Sequence, residues 1–250
     1  MGNSKLVEPK HTETIKFVMS GAAPMGASDA ERFNLKAPKT QFFQGYGLTE
    51  SSPVVLLNYI GNKNYASVGR PGANTEAKIV LLDDPNMYGV GPNINGELWV
   101  RGPQIMKGYH NNDKATKETV TADGWLRTGD IGYYDENHEF YITDRLKELI
   151  KVKGFQVAPA ELEEILRDHP KIADAAVIGI PDERSGELPR AFIVPKVTDE
   201  ITEKEIQDYV AKKVAVYKKL DGGVEFVTSI PKNATGKILR RELKRIYCPT

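Results

Sequence analysis

Asp144-Arg145-Leu146-Lys147-Glu148-Leu149-Ile150-Lys151-Val152-Lys153-Gly154-Phe155-Gln156-Val157 sets four basic residues, Arg145, Lys147, Lys151 and Lys153, within nine positions. Leu149, Ile150, Val152, Phe155 and Val157 interleave with them. The apolar residues can anchor short strands, which leaves the charges facing water or a partner. Lys153-Gly154 predicts a tight turn between two such strands, because glycine takes positive φ without a Cβ clash. Taken alone, this is an ordinary hairpin with a solvated basic face. The stretches on either side give it a further meaning.

Downstream, Pro159-Ala160-Glu161-Leu162-Glu163-Glu164-Ile165-Leu166 predicts a helix. Proline suits its first turn, and Leu162, Ile165 and Leu166 form a stripe at i, i+3 and i+4. Ala175 to Ile180 and Ala191 to Val194 predict strands, with Pro181 to Pro189 as an acidic, turn-rich link between them. Thr202-Glu203-Lys204-Glu205 is a capping box opening a helix through Val214, and Val224 to Val227 predicts a last strand. Ribbon, helix, strand, strand, helix, strand, helix describes an α+β domain of about 100 residues, assigned to 145–250. Pro231-Lys232-Asn233-Ala234-Thr235-Gly236-Lys237 is a loop ending in lysine, followed by a helix from Leu239 to Tyr247. Lys237 at such a tip is a point charge that can be delivered to a phosphate. Its Thr-Gly-Lys lacks the second glycine and spacing of a Walker loop. The plainer alternative is that Lys237 begins a basic helix with Arg240, Arg241, Lys244 and Arg245.

Upstream, Ile15 to Met19 predicts a buried strand that feeds the small-residue loop Ser20-Gly21-Ala22-Ala23-Pro24. Ser28 to Ala37 predicts a helix, and Gln41 to Gln44 a second strand running into Gly45-Tyr46-Gly47-Leu48-Thr49-Glu50. Gly45 and Gly47 let backbone lie against a flat ring, and Tyr46 can stack on it. Thr49 can donate to a phosphate oxygen, and Glu50 is a hard oxygen ligand suited to Mg²⁺. A plain Gly-rich turn capped by Thr49 explains the same residues equally well. Residues 53–110 are rich in proline and glycine with short strands, a β-rich subdomain. Gly124-Trp125-Leu126-Arg127-Thr128-Gly129-Asp130 then leads into the strand Ile131 to Tyr134. A carboxylate at Asp130 can accept two hydrogen bonds from a ribose diol, or simply cap a turn. Arg145, after the strand Phe140 to Thr143, can serve the same sugar.

Composition narrows the classes. The chain has 250 residues, 34 basic and 34 acidic, with 40% hydrophobic residues. That allows one or two domains and gives no global field for nucleic acid or membrane. One cysteine, Cys248, makes no disulfide framework. There is no apolar run of about 18 residues and no apolar signal region near Met1. Cys-Pro-Thr at the end is not a peroxisomal Ser-Lys-Leu address. The expectation is a cytoplasmic protein.

The motifs Gly45 to Glu50, Gly96-Glu97-Leu98 through Gly108-Tyr109, Thr128-Gly129-Asp130, Asp144 through Glu161 and Pro231 through Lys237 occur together and in order. In this they resemble the adenylate-forming superfamily, above all the acyl-CoA synthetases of the 4-coumarate–CoA ligase and beetle luciferase group. The resemblance implies an α/β (α+β) fold: the β-rich C-terminal part of a large AMP-binding domain, 1–144, and a small C-terminal lid, 145–250. It implies adenylation of a carboxylic acid by ATP with Mg²⁺, then thioester formation with coenzyme A. Gly21, Ala22 and Ala23 resemble the loop beside the adenine and acyl pocket, and Tyr46 the adenine-stacking residue between Gly45 and Gly47. Thr49 resembles the phosphate ligand, Glu50 the Mg²⁺ ligand, and Asp130 the ribose ligand assisted by Arg145. Lys147 resembles the interdomain hinge. Lys151, Gly154 and Gln156 resemble the ribbon used in the second half-reaction, and Lys237 the adenylation lysine. The family's upstream Ser/Thr/Gly-rich phosphate loop has no counterpart, since only 44 residues precede Gly45. The chain is therefore expected to be the C-terminal half of such an enzyme, with little adenylation by itself. A luciferase-type monooxygenase and a non-catalytic nucleotide- or partner-binding remnant are the alternatives.

Overall fold

Lys153 and Gly154 take φ of +51° and +84°, and Phe155 pairs with Val152 across them. The predicted two-residue hairpin is formed, with both turn residues in the left-handed region that such turns require. The computed structural model describes residues 7–21, 27–84, 86–197, 200–234 and 236–247 of a mixed α/β chain. It divides into two compact units, Met1–Ile142 and Thr143–Thr250.

The first unit opens with β1 (Phe17–Ser20), α1 (Ala27–Lys36), β2 (Gln41–Gly47), β3 (Val54–Leu57) and β4 (Arg70–Pro71), a sheet in that strand order. β1 and β2 are parallel, joined across α1, while β2, β3 and β4 pair antiparallel. The expectation of a buried first strand is corrected. Phe17 and Met19 are each 53% exposed, while Val18 packs on the cluster of Ala30, Phe33, Ala37 and Phe42. Strand alternation sends every second side chain of the run to a face that the described residues leave open.

A second sheet follows: β5 (Glu76–Val80), β6 (Gly96–Arg101), β7 (Leu126–Tyr134) and β8 (Phe140–Arg145), in that order. Between β6 and β7 lies α2 (Asp113–Thr119), whose cap Asn112 accepts from the Ala115 amide at 3.1 Å. Leu56, Ile79, Leu98, Val100, Leu126 and Phe140 make one core beneath both sheets.

The second unit holds β9 (Ile150–Val152), β10 (Phe155–Val157), α3 (Pro159–Arg167), β11 (Ile172–Asp182), β12 (Gly186–Pro195), α4 (Glu203–Ala211), β13 (Val224–Phe226) and α5 (Arg240–Tyr247). Its sheet runs β10-β9-β12-β11, and β13 adds parallel to β12. Ala175, Val177, Ala191 and Ile193 face one core with Leu162, Leu166, Ile206 and Val210. Ala176, Ile178 and Phe192 face another with Leu243. Burial on both faces is why these strands read as unbroken apolar runs. The turn-rich link expected over Pro181 to Pro189 is instead mostly strand. Pro181 pairs with Glu187 and Gly179 with Pro189, so only the tip at 183–185 turns. Asp182 closes that tip, accepting from the amides of Arg184 and Ser185 at 3.1 and 2.7 Å. Pro181 lies on an edge strand, where a missing amide costs little. Half of the capping box forms. Thr202 Oγ1 accepts from the Glu205 amide at 3.2 Å, while the Glu205 carboxylate pairs with Lys171 at 3.0 Å.

Candidate active site

In the first unit, β2 delivers its motif to a sharp exit. A Cβ on Gly47 would lie 1.8 Å from the Pro53 carbonyl oxygen, so only glycine fits there. The turn that follows is a short 3-10 helix, Thr49–Ser51. It is held by Ser51 rather than capped by Thr49: Ser51 Oγ donates to the Pro53 oxygen at 2.7 Å and accepts from the Leu48 amide at 3.0 Å. Thr49 is left exposed at the surface. Gly21 directly follows β1 beside Gly45, its Cβ position 3.4 Å from the Gly45 oxygen. Ala22 and Ala23 lie outside the described residues.

Asp130 stands within β7, not before it. The β6–β7 register shifts between Glu97 and Trp99, which bulges Thr128, Gly129 and Asp130 out opposite Leu98. Thr128 Oγ1 donates to the Leu98 oxygen at 2.7 Å and accepts from the Asp130 amide at 3.1 Å. Gly129, at φ +68°, donates its amide to Glu97 Oε1 at 2.8 Å. The other Glu97 oxygen accepts from Trp99 Nε1 at 2.8 Å. Asp130 is 4% exposed, and Tyr46 donates its hydroxyl to Asp130 Oδ2 at 2.5 Å. Two motifs 84 residues apart thus meet through one hydrogen bond.

Glu50 meets a residue to which no role was assigned. Tyr109 donates its hydroxyl to Glu50 Oε1 at 2.8 Å, and the Met106 amide donates to the Glu50 carbonyl at 2.8 Å. Burial, then the bond to Glu50, pushes the Tyr109 phenol above its ordinary value. Gly108-Tyr109 was visible as a motif, but its approach to Glu50 depends on the loop before α2. Among the described residues no three His, Cys, Asp or Glu side chains cluster as a metal site. One carboxylate fits Mg²⁺ only when phosphate oxygens and water complete the shell. Two cavities, about 460 and about 720 Å³, open elsewhere in this unit and are lined by none of the candidate residues.

In the second unit, Lys147 is exposed on a short 3-10 helix, Leu146–Glu148, after Arg145 at the end of β8. Lys151, Gly154 and Gln156 are exposed on the β9–β10 ribbon. The ribbon is pinned to the β11–β12 turn. The Lys151 amide donates to Glu187 Oε2 at 2.9 Å, and the Lys153 amide to the Ser185 oxygen at 2.7 Å. Lys237 stands in a bonded loop, not at a helix start. Its amide donates to Asn233 Oδ1 and its carbonyl accepts from the Asn233 amide, both at 2.9 Å. α5 begins only at Arg240.

The second unit also holds a charge cluster to which the sequence assigned no role. Arg240 Nη2 donates to both Glu163 oxygens at 2.8 Å, and Nη1 donates to Glu148 Oε2 at 2.6 Å. Burial pushes the Glu163 carboxyl up from 4.5 to about 7, against the pull of Arg240, the Val177 amide and Arg167, with Asp144 adding to the rise. Asp144 is also raised by burial, although the amides of Ala160 and Arg145 donate to it at 3.0 and 2.6 Å.

The comparisons with known proteins agree with the motif order. A family model described as AMP-binding enzyme matches residues 3–110, and one described as AMP-binding enzyme C-terminal domain matches residues 161–237. The chain is 49% identical over 245 residues to 4-coumarate--CoA ligase-like 9 of Arabidopsis thaliana, which covers 97% of this chain and 43% of that protein. It is 47% identical over 247 residues to luciferin 4-monooxygenase of Photinus pyralis, covering 97% and 44%. ATP-bound MatB from Rhodopseudomonas palustris matches with TM-score 0.91 at 27% identity, over 99% of this chain and 48% of that one. The o-succinylbenzoate CoA synthetase MenE of Bacillus subtilis, in complex with its acyl-adenylate intermediate OSB-AMP, matches with TM-score 0.80 at 31% identity, over 93% and 46%. The chain spans less than half the length of these relatives. With the two family models covering most of its residues in their expected order, the chain belongs to the adenylate-forming AMP-binding enzymes.

Proposed function

We propose that this chain provides the ribose-binding and lid portions of an ATP-dependent acid–CoA ligase. The Tyr46–Asp130 hydrogen bond carries the reading, because it sets an aromatic ring beside a buried acceptor. Tyr46 would stack on adenine, and Asp130 would accept from the ribose hydroxyls, with Arg145 assisting. Gly21, Ala22, Ala23 and Gly45 would line the adenine and acyl pocket. Thr49 would donate to phosphate. Glu50, oriented by Tyr109, would hold Mg²⁺, which neutralises phosphate charge.

In the first half-reaction a carboxylate oxygen attacks the α-phosphorus, and the bond to pyrophosphate breaks. The Lys237 ammonium would stabilise charge building on the non-bridging oxygens. In the second, the coenzyme A sulfur bonds to the acyl carbon and AMP leaves with the bonding pair. Lys151, Gly154 and Gln156 on the ribbon serve that step. Rotation about Lys147 would exchange the two sets of groups. The ligase relatives favour thioester chemistry. Luciferin monooxygenases share the adenylation half and so would share the nucleotide residues.

The test is calorimetric titration of AMP into the 250-residue chain and its Asp130→Ala variant. Saturable binding that weakens about tenfold or more in the variant is expected, the loss of a charge-assisted pair of bonds. Equal affinity in the two, or no heat with the wild-type chain, would overturn the nucleotide-site assignment.

A further inference from the structure

Lys237 and Lys147 are 90 positions apart in the sequence, yet one side chain lies on the path between them. Arg240 opens α5 three residues after Lys237 and is 14% exposed. Its guanidinium reaches three elements. Its Nη2 donates to both oxygens of Glu163 of α3, its Nη1 to Glu148 in the 3-10 helix that carries Lys147, and its Nε to the Val177 oxygen of β11 at 3.3 Å. On the other side, Arg240 is joined to the lysine loop by backbone. The Leu239 amide donates to the Pro231 oxygen at 2.9 Å, Lys232 bridges Ile238, and Asn233 brackets Lys237 from both ends. Lys232 further pairs with Asp174 at 2.6 Å. The loop base is therefore fixed on β11 and on α5 together.

We propose that Arg240 is a positioning residue that couples the Lys147 segment to the Lys237 loop, so that the two move as one body. The inference rests on the reading of Lys147 as hinge and Lys237 as adenylation lysine. Its physical basis is the shape of the guanidinium: a planar fork with five donors can serve a carboxylate on one edge and a second carboxylate on another. An ammonium at the same place is a point charge and holds no fixed plane. The simpler role, neutralising Glu163 alone, needs only the α3 edge of the fork. Glu148 is the partner that this simpler role leaves unexplained, and it adjoins Lys147 in sequence.

Amide hydrogen exchange on the full 250-residue chain separates the two roles. Glu148→Gln removes the charge of the hinge-side arm and so weakens it, while leaving the Arg240–Glu163 pair in place. Exchange at Lys237, Leu239 and Leu149 is expected to quicken together, by about threefold or more, with the α4 amides of Ile206 and Val210 unchanged as a control for global opening. Arg240→Lys is expected to give the same joint effect. Quickening at Leu149 alone, with Lys237 and Leu239 at the wild-type rate in Glu148→Gln, would overturn the coupling. Should Arg240→Lys fold poorly, Glu148→Gln still decides. The readout needs no nucleotide. Absent AMP binding with coupled exchange sinks the ligase reading only, and uncoupled exchange with intact AMP binding sinks only this inference.

Discussion

In the proposed function Tyr46 would have two separable tasks, a face for stacking and the hydroxyl that donates to Asp130. Tyr46→Phe keeps the first and removes the second, leaving a buried carboxylate one donor short. AMP affinity in calorimetry is expected to fall about threefold to tenfold, the net scale of one hydrogen bond. Tyr46→Ala removes both tasks and is expected to fall further. Affinity unchanged in Tyr46→Phe would remove the hydroxyl from the site. Gly47 is constrained by space alone. Gly47→Ala sets a methyl against backbone that cannot yield, with an expected loss of about 3 kcal/mol in urea unfolding. These two residues also mark a limit of reading by residue type. A Gly-Tyr-Gly run announces close approach, but not whether the neighbour is a ligand or the Pro53 carbonyl; for Gly47 it is the carbonyl.

At the scale of elements, the β9–β10 hairpin is the clearest case of local chemistry deciding structure. Lys153 takes the left-handed region at a turn position that glycine or asparagine fills with less strain. Lys153→Asn is expected to raise stability by about 0.5–1 kcal/mol in urea, and a loss would mean that the Lys153 side chain holds the turn. The buried acids of the second unit set a pH dependence. The folded Glu163 carboxyl, at about 7, holds its proton more tightly than the unfolded one, at 4.5. Between these values the native state binds more protons, so this group's contribution falls as pH rises from 4.5 and levels off above 7. Asp144 shifts in the same direction. Urea midpoints should therefore decline across that window. Glu163→Gln should flatten the decline by up to about 3 kcal/mol. An equal slope in wild type and variant would place the titration elsewhere.

For the whole molecule, each hydrophobic cluster is built inside a single unit. The Asp144, Glu148, Glu163 and Arg240 group likewise belongs wholly to Thr143–Thr250. A chain of residues 143–250 is accordingly expected to fold alone, with one cooperative urea transition, while non-cooperative unfolding would show that its core needs more. Much of this architecture was legible in the order of residues. Helix stripes such as Leu162, Ile165 and Leu166, the Lys153-Gly154 turn and the paired runs at 175–180 and 191–194 encode their elements locally, because backbone periodicity and turn φ act over a few positions. Membership of the adenylate-forming enzymes was likewise readable, since it resides in short motifs and their sequence order. What only the tertiary structure decided are meetings at long range: Tyr46 with Asp130, Glu50 with Tyr109, and Arg240 with Glu148 and Glu163. The open face of Phe17 and Met19 belongs with them. Each depends on where separate elements pack, through bulges, loop paths and burial, and no period along the chain records that.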